Sequence, residues 1–373
     1  MFFYLSLIVI STLMMNFVNK IRFVDEKIFF MFLCCAPLIV IGGFRDLNVG
    51  VDLQVYGIAF FESAQDATTF NELFRNMFSS KEYAYWILNF ISCHFSRDIH
   101  LMLVLQEVIK ISLVIVGAML FEKNRFFFWI IIGWLILFYA TTFSLMRQGL
   151  ALAVCTLGNA LFLKKCYRSF LICSIFAYFF HNSAIIMILL PLMHFICQKT
   201  KRPLLYIIPA AFILYTVSLN LLHLMDSTGL FKDGIADSYM NTGVTLAKAN
   251  ILFASYTFIT PLLLAKSQDV KNSYPINLLA STSFCALSFL FISNYIEVGF
   301  RMSYYMVLSI LFMYPYVVEK YAQPRLKQIL LCGYTLCLFI CFIFSAKHGL
   351  SGTIPYSSEI LESFLFNYEG TTN

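Results

Sequence analysis

Residues 126–163 run for 38 positions with Arg147 as their single charged residue. A straight helix of that length would measure about 57 Å at 1.5 Å per residue. The hydrocarbon core of a bilayer is only about 30 Å thick. The run is therefore expected to fold back on itself as a hairpin. The polar place to turn is Ser144–Gly149, within "SLMRQG". Arg147 is thereby set at the end of a hairpin, near one membrane surface.

The rest of the chain obeys the same constraint. It has 373 residues, 60% hydrophobic and only 12% charged, against about 25% charged in a soluble domain. Apolar runs recur along its whole length, and a helix satisfies its own backbone in lipid. The expected fold is an all-α polytopic membrane protein, one integral membrane domain over 1–373. Twelve spans are predicted at about 1–19, 28–43, 100–121, 126–143, 148–163, 169–180, 184–197, 204–222, 247–265, 275–293, 299–318 and 328–346. The N-terminal run has neither a basic start nor a small-residue cleavage site, which favours a retained first helix. The eleven cysteines lie mostly inside apolar runs without a CxxC pair and read as small hydrophobes. A net charge of +6 implies no nucleic-acid partner here, because its distribution among the loops sets the orientation.

Six short loops (20–27, 122–125, 164–168, 198–202, 266–271 and 319–327) carry 16 of the 26 Lys and Arg residues. By the positive-inside rule they are cytoplasmic, which puts both termini outside. The apolar stretch 83–96 then cannot cross, since a crossing would invert every later loop. It is expected to lie in the outer interface. Before it, Phe70, Leu73, Phe74, Met77 and Phe78 have helical spacing, and Thr69 with Glu72 forms a capping box. Residues 44–99 thus read as an outer segment of interfacial helices, and 223–246 as a longer outer loop.

Polar residues gather at the predicted outer ends: Arg45, Asp46 and Asp52 in "FRDLNVGVD", Arg147 and Gln148 in "RQG", His181 and Asn182 in "FHNSA", and Glu297, Arg301, Tyr304 and Tyr305 in "EVGFRMSYY". Several arginines at the mouth of an apolar bundle make an anion site, because guanidinium forks hold phosphate oxygens bidentately. Each has a plainer reading beside it. Arg45 follows a helix end and could snorkel to the headgroups. Arg301 could pair with Glu297, and His181 could be an interhelical histidine. Nearby aromatics could stack on sugars or form an interfacial belt. Glu107 and Lys110, one turn apart in the third span, are expected to form a structural ion pair. Asp233 and Asp237 read as solvated loop charge.

The order "FRDLNVGVD…Y", "RQGLA", "LKKCYRSF", "FHNSA", "FRMSYY" resembles the EpsG-like branch of the Wzy-type O-antigen and exopolysaccharide polymerases, over roughly residues 40–310. The one departure is Val51, where "GTD" would be expected. The resemblance implies a GT-C-like membrane glycosyltransferase on the periplasmic or outer face of a bacterial inner membrane. It would join repeat units carried on undecaprenyl pyrophosphate, with membrane lipid, a flippase and a chain-length regulator as partners. Carried over by position, Arg147 and Arg301 would bind pyrophosphate with Arg45 helping. His181 or Asp52 would meet the acceptor hydroxyl, with Gln148, Asn182, Tyr304 and Tyr305 at the substrate. Arginines would stabilise the leaving group in place of a metal, so no cofactor is expected, although Asp46 and Asp52 could share a divalent ion. A flippase of lipid-linked oligosaccharide and an O-antigen ligase are the alternatives.

Overall fold

The computed structural model describes residues 1–77, 82–213, 247–265, 273–293, 297–349 and 352–366. Every regular element among them is helical. The whole of loop 223–246, with Asp233 and Asp237, lies outside the described residues, as does the side chain of Glu297. Each of the twelve predicted runs coincides at least in part with a helix. Among the described residues, five helices are long and apolar enough to cross a bilayer: Ile99–Leu120, Met146–Leu163, Asn182–Lys199, Tyr274–Ile292 and Pro324–Lys347. The chain is a multi-pass membrane protein.

It divides into two compact units, Met1–Ala184 with Ala346–Asn373, and Ile185–Ser345. In the first unit, α1 (Phe2–Val18) packs on α2 (Val24–Gly43), and α2 packs on α6 (Ile99–Leu120). Helix α9 (Met146–Leu163) lies between α6 and α10 (Tyr167–Phe180). Small residues along α9, among them Gly149, Ala151, Ala153 and Ala160, let its neighbours approach closely. At Gly117 of α6 a Cβ would lie 3.1 Å from the Thr156 carbonyl oxygen of α9.

The predicted turn is present. The helical run from α7 (Phe127–Trp134) through α8 (Thr141–Ser144) breaks at Leu145 (φ −95°, ψ 59°) before α9 begins. Trp134 Nε1 donates to Thr156 Oγ1 at 3.1 Å. Those two residues are equidistant from Leu145, as a fold-back centred there requires.

The break is seated on polar groups from two directions. From α6, Gln106 donates to the Met146 carbonyl (3.0 Å) and Lys110 to Thr142 Oγ1 (3.0 Å). From the 44–51 loop, the Val51 amide donates to Ser144 Oγ (3.2 Å). Gly50, at φ +101°, lies so close that a Cβ would come within 2.6 Å of the Phe143 oxygen. Only glycine combines that backbone conformation with that approach.

The expected Glu107–Lys110 pair is formed at 2.7 Å, with both side chains fully buried. Arg45 joins it, 3.6 Å from Glu107 and equally buried. Its other contacts are the carbonyls of Gly42, Val49 and Phe143 and the face of the Phe143 ring. This corrects the sequence reading of Arg45: its fork holds the 44–51 loop from inside and neither snorkels nor reaches a surface anion. The C-terminal segment lies over the same loop. Asp46 Oδ1 accepts the Glu359 amide (2.8 Å), and the Gly50 amide donates to the Gly352 carbonyl (2.9 Å).

After that loop, α3 (Ile58–Gln65) and α4 (Phe70–Asn76) lead to α5 (Tyr83–Phe95). Thr69 Oγ1 caps α4 by accepting the Glu72 amide (3.3 Å), and Glu72 reaches back to Thr68 (2.8 Å to its amide). The capping box is thus formed one residue earlier on its return arm. Helix α5 measures about 20 Å, short of the hydrocarbon core, and buries one face (Tyr85, Trp86, Asn89, Phe90) against α3 and α6.

In the second unit, α11 (Leu189–Lys199), α12 (Leu204–Ile213), α13 (Ala247–Leu264), α14 (Tyr274–Ile292), α15 (Glu297–Tyr321) and α16 (Pro324–Lys347) follow in order. Helix α14 packs on α11, α13 and α15. Stacked Tyr314 and Tyr334 rings, 4.8 Å apart, join α15 to α16. The last helix, α17 (Glu359–Phe366), belongs to the first unit.

Candidate functional site

Helix ends deliver the polar residues of the first unit to one place. Arg147 occupies the first turn of α9, immediately after the break at Leu145. His181 is the residue at which α10 stops, with extended backbone (φ −158°, ψ 125°). Glu82 precedes the first turn of α5. Asp52 and Tyr56 lie on the turn leading into α3.

Glu82 is the centre of the cluster. Its Oε2 accepts from Arg147 Nη1 at 2.5 Å, and its Oε1 lies 2.5 Å from His181 Nδ1. The Asn182 amide also points at Oε1, at 3.4 Å. Glu82 is 2% exposed, and Arg147 and His181 are each 16% exposed. The carboxylate is therefore covered while its two partners reach the surface. A carboxylate only accepts, so the neutral imidazole carries its proton on Nδ1 and keeps Nε2 as an acceptor.

Arg147 is held from a second side. Its guanidinium carbon sits 4.0 Å from the Tyr56 ring centroid and 5.4 Å from that of Phe60, a cation–π arrangement. The Tyr56 hydroxyl donates to Asp52 Oδ2. Burial, and then the Asp52 carboxylate, hold the Tyr56 phenol well above its ordinary range, so it remains a donor. Asp52, Tyr56, Arg147, Glu82 and His181 thus form one continuous polar chain.

Chemically, this arrangement offers a planar cation and a histidine whose tautomer is fixed by a carboxylate. The first is suited to an anionic oxygen. The second is suited to taking a proton at Nε2.

Of the sequence-predicted residues, Asp52, Arg147, His181 and Asn182 come together here. Gln148 is buried beside Arg147 in α9. Arg301, Tyr304 and Tyr305 belong to α15 of the second unit, where Tyr304 and Tyr305 are buried and Tyr304 packs on Phe300 with centroids 4.7 Å apart. Arg45 and Asp46 are engaged in the scaffold described above. Sequence reasoning missed Glu82 and the role of Tyr56. Asking which carboxylate covers Arg147 would have been the signal for Glu82.

A family model described as the EpsG family matches residues 27–358. No curated protein and no solved structure matches the chain.

Proposed function

The chain belongs to the EpsG family, and from that premise we propose that it is a membrane polysaccharide polymerase. It transfers a glycan from undecaprenyl pyrophosphate to a sugar hydroxyl of another lipid-linked repeat unit, on the outer face of the cytoplasmic membrane. The observation that carries this reading is the Arg147–Glu82–His181 cluster.

The acceptor hydroxyl oxygen attacks the anomeric carbon of the donor sugar. The bond from that carbon to the pyrophosphate oxygen breaks, and its electron pair leaves with the pyrophosphate. Negative charge grows there, and a fixed guanidinium fork stabilises it. Arg147 is that fork. The hydroxyl proton passes to His181 Nε2. Glu82 holds the imidazole in orientation and balances the imidazolium that forms, a division of labour seen wherever a carboxylate backs a catalytic histidine.

Glu82 and Arg147 neutralise each other as they stand. A pyrophosphate oxygen therefore competes with Glu82 Oε2 for Nη1. When it wins, Glu82 is left to His181. Phosphate binding and base activation are coupled through one carboxylate. Asp52 sets Tyr56 beneath Arg147 instead of acting as the base. Arg45 is reassigned from the phosphate to the scaffold that aims Arg147.

The test is the surface glycan of a deletion strain. Glycans capped with a single repeat unit, returning to long chains on complementation, support a polymerase. Complete absence of surface glycan supports flipping or ligation instead.

A further inference from the structure

Beside the polar cluster, α4, α5 and α10 enclose a groove of about 490 Å³. Tyr83, Ile87 and Ile91 line it from α5 at i, i+4 and i+8. Phe176 and Phe179 line it from α10, and Phe74 from α4. Phe74, Tyr83, Ile91, Phe176 and Phe179 are large apolar side chains left exposed there, whereas the opposite face of α5 is buried. Tyr83 packs edge-on to Phe179 with centroids 6.2 Å apart, which keeps the two walls in register.

Both walls end at the charged cluster. Glu82 immediately precedes Tyr83, and His181 follows directly on the last residue of α10. An apolar slot that terminates at an arginine fits a ligand with a hydrocarbon body and an anionic head. We propose that the groove holds the first isoprenoid units of the lipid carrier, with the carrier's phosphate at Arg147. This rests on the reading of the chain as a polyprenyl-pyrophosphate enzyme.

The length of the groove sharpens the claim. Tyr83 to Ile91 covers about 12 Å of helix, so only the carrier end nearest the phosphate fits. Recognition then depends on the branched isoprenoid units beside the head and not on total chain length. A single groove walled by aromatic and branched aliphatic side chains suits one methyl-branched chain. A diacyl lipid brings two chains joined at a bulky glycerol.

The experiment uses the full chain in nanodiscs of phosphatidylcholine and phosphatidylglycerol, with a benzophenone-bearing geranyl diphosphate as photoprobe. The proposal expects labelling on 83–91 and 176–179, displaced by unlabelled farnesyl diphosphate and not by added phosphatidic acid. Ile87→Trp, which fills the slot, should raise the KM for lipid-linked substrate roughly tenfold, the scale of one lost side chain's apolar contact, with kcat kept within about twofold. Labelling displaced equally by phosphatidic acid would make the groove an ordinary lipid site and overturn the proposal. Displaceable labelling confined to other helices would overturn it while leaving the polyprenyl-pyrophosphate reading intact. Absence of displaceable labelling anywhere would overturn both.

Discussion

Glu82 and His181 are 99 residues apart in sequence and 2.5 Å apart in space, Oε1 to Nδ1. Their contact joins the start of α5 to the end of α10. It turns a histidine at the edge of a bundle into one with a fixed tautomer. The following expectations depend on it.

Glu82→Gln should separate rate from binding. The amide still accepts from Nδ1 but no longer balances an imidazolium, so polymerisation should slow on the order of 100-fold. The competing charge on Arg147 is lost, so substrate should bind as tightly as before or tighter. Kinetics on purified protein with lipid-linked repeat units reads both. A fall in protein abundance with unchanged kcat and KM would make Glu82 a structural clamp.

His181→Ala should lower the rate by roughly two to four orders of magnitude while the protein persists at normal levels. Tyr56→Phe keeps the ring under Arg147 and loses the hydroxyl with its bonds to Asp52 and Arg147, a loss of about fivefold. Tyr56→Ala removes the cation–π support as well and should cost nearer 30-fold. Glycan length normalised to protein level distinguishes the series, and equal activity in Phe and Ala variants would remove Tyr56 from the account.

The buried group around Glu107 should behave as scaffold. Glu107→Ala leaves Arg45 and Lys110 buried without their carboxylate, which typically costs about 3–5 kcal/mol. Thermal unfolding in detergent should show the loss. Arg45→Lys should likewise reduce abundance. Normal abundance with shortened glycans in Arg45→Lys would return Arg45 to the phosphate site.

The sequence made the break at Leu145 legible because length alone forbids a straight helix over 126–163. Arg147, His181 and Asp52 were legible as polar residues ending apolar runs. Glu82 was not: it sits in the polar stretch "SSKEYAYW", where a carboxylate attracts no notice. Its partners lie 65 and 99 positions away. Arg45 was misread for a related reason. An arginine just past a helix end has the same local sequence whether it turns outward or inward. What turns it inward is Glu107, in a helix far along the chain.

Topology has its own check. The parity of the basic loops predicts that Ser96, at the end of α5, faces the outer side. A single cysteine at that position, in a chain free of native cysteines, should react with an impermeant maleimide in intact cells. Protection there with reactivity from the cytoplasmic side would mean that 83–96 crosses the bilayer.

The central claim is that Arg147 holds a phosphate through its planar fork, and the most direct measurement compares Arg147→Lys with Arg147→Ala in a deletion strain, scoring glycan length and protein level together. Lysine keeps the charge and loses the fork. The loss of a contact that strengthens in the transition state should cost about 3 kcal/mol, on the order of 100-fold in rate. The account predicts normal amounts of the Arg147→Lys protein with mostly single-unit glycans. Full-length glycans in Arg147→Lys together with a depleted Arg147→Ala protein would contradict it, and would make Arg147 no more than the structural partner of Glu82.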